Sequence, residues 1–410
     1  MQDSPHSTGQ DRSSRRLGRN VYALAAVSFF TDVSSEMIYP LLPVFLSTVL
    51  GANAGFIGAI EGAAESTAAL LKLASGWWSD RVRRRKPLVV AGYALASAMR
   101  PLIAIAQSAT QVLVIRVSDR VGKGIRNSPR DALIADSVSP EVRGRAFGLR
   151  SAADNAGALL GPLIAFGVLA TWHVSLRTVF WFAVIPGAIA VIVAIVGIRE
   201  VPHHGAIVKE TALQGAMGRR FWVFLIIIFI FTLGNSTDAF LLLRARQLGV
   251  PVALAPILWA LLHGVKSVLN IPGGVLSDRI GRRPILIACA VAALATAYPA
   301  LSWLVSAPSF SRLLTVELWL AFLYAAYNGA MAVYLTEIMP VEVRTSGFSV
   351  AYSLATALFG GFTPAISTYL IHVTGNPAMP GVWLSFAAAC GLSAVLELST
   401  QRARSLKSPL

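Results

Sequence analysis

The sequence predicts an all-α membrane protein of twelve transmembrane helices arranged in two pseudo-symmetric six-helix bundles. Three observations predict it. Apolar runs of about 20 residues, each able to cross some 30 Å of hydrocarbon, recur along the whole chain. The basic turn Gly76-Trp77-Trp78-Ser79-Asp80-Arg81, continuing to Arg84, Arg85 and Lys86, returns as Gly274-Val275-Leu276-Ser277-Asp278-Arg279, continuing to Arg282 and Arg283, with 198 residues between Asp80 and Asp278. An acid placed seven residues before an arginine, Asp136 with Arg143, returns as Glu337 with Arg344, and the two arginines are 201 residues apart. Two repeats in nearly the same register make each half of the chain a relative of the other.

Composition excludes an ordinary soluble domain, in which roughly a quarter of the residues are charged. Here 55% are apolar and 13% charged, with a mean hydropathy of +0.64. A net charge of +15 would point to nucleic acid in a soluble chain, so the placement of the charge decides. With both termini inside, 22 of the 35 cations fall in cytoplasmic segments, whereas the outer loops hold about four, the asymmetry that the positive-inside rule requires. The basic balance therefore reports the topology of a multi-pass membrane protein with both termini cytoplasmic, and no nucleic-acid partner. Cys289 and Cys390 lie in apolar runs without metal-ligand spacing and read as small core residues. No metal and no cofactor is expected.

In chain order, residues 1–20 are polar and basic and read as a cytoplasmic tail, 21–197 as the first bundle, 198–220 as a cytoplasmic linker, 221–399 as the second bundle and 400–410 as a second tail. Ser13-Ser14-Arg15-Arg16 has no small-residue cleavage site after it, so span 1 (about 21 to 47) is an uncleaved anchor. It carries Asp32 and Glu36 on one face, with Pro40 and Pro43 bending its outer half. Span 2 (55 to 78) carries Glu61, Glu65 and Lys72, and the two acids are close enough to its outer end to snorkel. Span 3 (87 to 106) carries Arg100.

Span 4 is the most informative. Arg116, Asp119, Arg120, Lys123, Arg126, Arg130 and Asp131 fall within roughly a 140° arc at about 100° per residue. Gly122, Gly124 and Pro129 are placed to interrupt this helix locally, as transporter helices are interrupted near their sites. Intramembrane charges face a cavity or one another, and this face carries five cations against two acids. In the second half, span 7 carries Asn235 and Asp238, span 8 His263 and Lys266, and span 10 Asn328.

The Gly-x-x-x-Asp-Arg turn and its repetition resemble the loop signature of the major facilitator superfamily of secondary transporters. Residues 1 to about 284, notably Arg120-Val-Gly-Lys-Gly-Ile-Arg126 and Gly234-Asn-Ser-Thr-Asp238, are similar to a bacterial branch without an assigned substrate. From Ser277 onward, Thr336-Glu-Ile-Met-Pro-Val-Glu-Val-Arg344, Phe359-Gly-Gly361 and Thr363-Pro-Ala-Ile-Ser367 resemble citrate and tricarballylate proton symporters. Gly148-(x8)-Gly157-(x3)-Gly161-Pro162 in span 5 is similar to a signature of proton-driven antiporters, but Ala165 and Phe166 stand where its closing glycines belong, and small residues at this spacing are also ordinary packing devices.

The resemblance implies two bundles rocking about a midplane site. The turns then form an inner gate built from Gly76, Asp80, Arg81, Arg84, Arg85, Asp136 and Arg143, with Gly274, Asp278, Arg279, Arg282, Arg283, Glu337 and Arg344 as the second copy. Arg81 would reach Asp136, and Asp80 would sit at the start of span 11. Substrate binding is expected at Arg116, Arg120, Lys123, Arg126, Asn235, Lys266 and Asn328, and proton coupling at Asp32, Glu36, Asp238 and His263, since such intramembrane groups build proton relays.

The expected activity is proton-coupled transport, by a monomer, of a small organic anion such as a citrate-like acid. The alternative is a proton-driven antiporter exporting an amphipathic compound. For span 4, the competing structural reading is a fully paired network with span 1. An enzyme would need a nucleophile with its base, or a metal cluster, near the interface, and the sequence presents neither. A sensor would carry a sizeable cytosolic module, whereas the largest expected loop is the linker at 198–220.

Overall fold

A computed structural model describes residues 17–81, 84–139, 143–201, 254, 256–261, 264, 280–338 and 363–405. Helix α1 (Arg19–Ile38) passes through a 3-10 turn (Tyr39–Leu41) into α2 (Leu42–Thr48). Next come α3 (Ala54–Arg81), α4 (Lys86–Met99) with its 3-10 continuation Arg100–Ile105, α5 (Ala109–Asp136), α6 (Arg143–Trp172), α7 (Leu176–Phe182) and α8 (Val184–Gly197). Helices α9 (Arg282–Ser306), α10 (Phe310–Ile338), α11 (Thr363–Thr374) and α12 (Met379–Ser405) complete the described elements, among which there is no strand. Helix satisfies every backbone N–H and C=O within the segment, which hydrocarbon demands. Spans 7 and 8 fall almost wholly outside the described residues.

Five described helical segments are long and apolar enough to cross a membrane: Arg19–Thr48, Lys86–Ile105, Ala146–Trp172, Leu176–Gly197 and Arg282–Ser306. The surface pattern agrees. Val196 is 67% exposed and Ile192 60%, whereas Arg116 is 5% exposed and Asp119 2%, an inversion that suits a lipid surround and would be an aggregation liability in water. The 3-10 segments coincide with Pro40 and Pro101, each of which lacks the N–H that would continue the α ladder. In contrast, α5 runs unbroken over 28 residues with Pro129 inside it. The expected interruption is not formed, and Gly122 has a packing role instead.

Contacts divide the chain into two units, Met1–Tyr39 with Leu70–Ile207, and Pro40–Ala69 with Val208–Leu410. In the first, α1 packs on α6 and α8, and α4 on α5. Val21, Leu24, Val27, Val89, Leu133, Ile134 and Ala194 form a buried apolar core. In the second, α9 packs on α10 and α12. Cys289 and Cys390 are free and only half-buried, so they are not the core residues the sequence suggested.

Small residues set the close crossings of the first unit. A Cβ on Gly92 of α4 would lie 2.6 Å from the Gly122 carbonyl oxygen of α5, and a Cβ on Gly157 of α6 would lie 2.5 Å from the Phe29 oxygen and 3.0 Å from Asp32 Cβ of α1. Gly161 repeats this contact one turn later, against Val33 and Glu36. The span-5 glycines are therefore packing devices here, seating α6 directly on the acidic stretch of α1. Gly92→Ala should destabilise the protein by about 1–3 kcal/mol through overpacking, read as a lower melting temperature of the purified chain. An unchanged melt would show that the two backbones do not meet.

Candidate functional site

Helix α5 starts at Ser108, whose hydroxyl accepts a hydrogen bond from Gln111 N at 3.3 Å, the usual cap for an orphan helix donor. From there its charged face runs through the interior of the first unit. Asp119 sits at the centre of one cluster. Arg100 donates Nε–H to Asp119 Oδ1 at 3.1 Å, while Arg116 and Arg120 each place Nη1 3.5 Å from Oδ2. Arg100 also donates to the Thr31 carbonyl of α1 at 3.0 Å, and Arg116 lies over the Tyr39 ring at 4.8 Å. One buried carboxylate thus serves three guanidinium groups. Asp119 is thereby joined across helices to Arg100 of span 3.

About two turns along, Arg126 is 5% exposed and stacks on Tyr93 of α4, its Cζ 4.2 Å from the ring centroid. Its Nε and Nη1 are buried with no hydrogen-bond partner among the described residues. Buried donors are almost always satisfied, so an open guanidinium beside an aromatic face is an anion-seeking feature. Half-buried Lys123 shares this side of α5. Arg126 and Lys123 are also electrostatic neighbours of Asp32, together with Glu36 and Asp154. Four of the expected residues, Asp32, Lys123, Arg126 and Glu36, are therefore brought together. Arg116 and Arg120 belong to the Asp119 cluster.

Further along α5, Arg130 binds Asp131 through Nε at 3.0 Å and Nη2 at 2.9 Å. The second half of α3 is tied alongside by side-chain bonds to backbone: Ser75 donates to the Gly124 carbonyl and Ser128 to the Lys72 carbonyl, both at 2.8 Å. A Cβ on Gly76, expected in the gate, would lie 3.4 Å from Ser128 Oγ.

At the end where α4 begins, Arg85 pairs with Asp136. Glu200 accepts the Arg85 and Lys86 backbone N–H groups at 2.9 and 3.0 Å, a carboxylate at a helix N-terminus, where the dipole favours it. Lys86 Nζ donates to the Ile195 carbonyl at 2.8 Å, and Asn20 joins Ser137 to Arg199. Arg85 is thus one partner of Asp136, and the side chain of Arg81, expected there, lies outside the described residues. Arg84 is exposed. Asp80 and Arg81 lie on α3 and Arg143 on α6.

In the second unit, Gly281 takes φ 98° and caps α9, a left-handed conformation that favours glycine, so Arg282 and Arg283 open the helix directly after the turn. Asn328 and Glu337 lie on α10. Asn235, Asp238, His263, Lys266, Gly274, Asp278, Arg279 and Arg344 lie outside the described residues. Sequence reasoning passed over Tyr93, Arg150, Asp154 and Glu200, and left Arg100 without a role. A lone arginine inside a span signals a buried acid somewhere, but only packing identifies it as Asp119.

Comparison with known proteins fixes the family. Residues 24–267, and again 244–409, match the sequence model of the Major Facilitator Superfamily. Over 383 residues the chain is 30% identical to an uncharacterised MFS-type transporter of Methanocaldococcus jannaschii, covering 89% of this chain and 94% of that one. Over 153 residues it is 58% identical to a citrate–proton symporter of Klebsiella pneumoniae, covering 37% of this chain and 34% of the symporter. That match therefore spans about a third of the symporter's length. Among solved structures, an inward-facing bacterial homologue of the lysosomal transporter Spinster superposes with a TM-score of 0.65 at 20% identity, covering 96% and 95% of the two chains. A D-xylose–proton symporter does so with a TM-score of 0.69 at 15% identity, covering 93% and 96%. The twice-matched family model, the full-length relative and the shared fold agree: the chain is a multi-pass membrane protein belonging to the Major Facilitator Superfamily, a family of transporters rather than enzymes.

Proposed function

We propose that this chain is a proton-coupled secondary active transporter of a small organic anion, with a citrate-like tricarboxylate or a related acid as substrate, working by alternating access. The observation that carries the reading is Arg126: a guanidinium 5% exposed, with two buried nitrogens, Nε and Nη1, open, on an intramembrane face rich in cations. A carboxylate is the group that such a fork binds best. Lys123 adds charge beside it. Asp32 is the proton carrier on this reading, close enough to the two cations for its charge state to be felt by a bound anion. The likeness of part of the chain to the citrate–proton symporter of Klebsiella pneumoniae supports the same substrate class and the same coupling ion.

In this scheme residues 21–197 and 221–399 are the rocking bundles, Asn235, Lys266 and Asn328 complete the site from the second, and the two signature turns gate it. Proteoliposomes holding the full chain should accumulate labelled citrate, tricarballylate or a related acid when the outside is made acid, and lose that accumulation when a protonophore collapses the gradient. Transport restricted to neutral or cationic compounds would reject the anion assignment.

A further inference from the structure

Of the five described segments able to cross the membrane, α9 is the least covered by the rest of the protein, with 22% of its most apolar stretch buried. A groove of about 690 Å³ runs along it, with Arg283 at the mouth and Ile287, Ala288, Val291, Ala292 and Ala295 beyond. Residues 287, 291 and 295 recur at i+4, with 288 and 292 beside them, so the groove follows one continuous face of the helix. Arg283, Ala288, Val291 and Ala295 are exposed. Since Arg282 and Arg283 open the helix directly after the Gly281 turn, the mouth lies at the polar interface and the apolar part in hydrocarbon.

The groove has a defined depth. From Arg283 to Ala295 it extends about 18 Å at 1.5 Å per residue, close to one leaflet of a hydrocarbon core about 30 Å thick. Tyr298 continues the same face, and there the start of α12 crosses so closely that a Cβ on Gly381 would lie 2.6 Å from Tyr298 Cα. Ser385 of α12 fixes the crossing by donating to the Leu294 carbonyl at 3.1 Å. A second membrane helix would need a groove through both leaflets. A groove one leaflet deep, apolar along its length and cationic at its mouth, matches a lipid with a negative headgroup.

We infer that this face of α9 binds one anionic phospholipid, its phosphate on Arg283 and one acyl chain along Ile287, Ala288, Val291 and Ala295. An arginine–phosphate contact is a charge-assisted hydrogen bond, and basic residues near the membrane surface attract anionic lipids in general. The chain supplies contact area that any phospholipid offers. Discrimination comes from the headgroup, because the two adjacent guanidinium groups repel the ammonium of a zwitterionic lipid. The lipid would sit at the rim of the proposed gate, since Arg283 belongs to the second signature turn. The assignment is independent of what the protein transports.

The test uses the full chain in phosphatidylethanolamine bilayers doped with phosphatidylglycerol that carries a photoreactive diazirine in its acyl chain. After illumination, peptide mass spectrometry should place the adduct within residues 287–295. Unlabelled phosphatidylglycerol should suppress it, and added phosphatidylethanolamine should not. Arg283→Gln should lower the labelling about fivefold, as expected for one basic residue near the membrane surface, whereas Arg283→Lys should keep most of it. Ala288→Phe fills the groove and should abolish the adduct, and melting curves in phospholipid-free detergent distinguish a lost site from a lost fold. Adducts spread evenly over the lipid-facing helices of the parent protein overturn the inference, as does labelling of α9 that phosphatidylethanolamine suppresses equally well. A dimer that Ala288→Phe separates would overturn it too, making this face an interface between two copies of the chain.

Discussion

Asp119→Asn should be among the most destabilising single changes in the first unit. The substitution removes the carboxylate that Arg100, Arg116 and Arg120 share at 3.1, 3.5 and 3.5 Å, and the four side chains are all nine-tenths or more buried. Breaking a buried ion pair from one side costs about 3–5 kcal/mol, because the remaining charge stays desolvated. The cost is read as a lower melting temperature and a smaller monodisperse fraction of the detergent-purified protein. Arg100→Leu should be milder, since it leaves Asp119 with two guanidinium partners on its own helix. An Asp119→Asn protein that melts with the parent would show that the cluster does not hold α4 and α5 together.

Arg126→Gln should weaken citrate binding by about tenfold to 150-fold, the equivalent of one charge-assisted hydrogen bond of about 1.5–3 kcal/mol. Arg126→Lys keeps a positive charge but loses the planar face that stacks on Tyr93 at 4.2 Å, and it should recover only part of the affinity. Tyr93→Phe preserves the ring and serves as the control for stacking. Counterflow measured against citrate concentration separates affinity from maximal rate, and melting curves separate both from folding. Parental affinity in Arg126→Gln would mean that this guanidinium is a packing element stacked on Tyr93, and the anion site would have to be sought elsewhere.

The charged face of α5 was legible because seven ionisable residues recur at helical spacing in a span that lipid would otherwise forbid. Its internal partition was not. Sequence spacing gives Arg116, Arg120, Lys123 and Arg126 equal standing, whereas the structure assigns the first two to Asp119 and leaves Arg126 on Tyr93 with open donors. The difference comes from α4: Gly92 against Gly122 sets a backbone crossing that delivers both Arg100 and Tyr93 to α5. The same applies at the helix ends, where the acid–arginine repeat was visible but the pairing of Asp136 with Arg85 was not. Pro129 misled for a related reason, since a proline in a packed membrane helix loses one backbone bond without ending the helix.

By itself the sequence determined the helical membrane class, the duplicated halves, the basic turns and the face of span 4 that carries charge. These follow from local rules, hydrophobic length, charge asymmetry and the 3.6-residue period, which act along the chain. Only the tertiary structure decided which carboxylate meets which cation: Asp119 with Arg100, Asp136 with Arg85, Asp154 with Arg150 and beside Asp32. Ion pairing falls off over a few ångströms, so it depends on where glycines allow two backbones to approach, and that distance is a property of two packed helices rather than of either sequence alone.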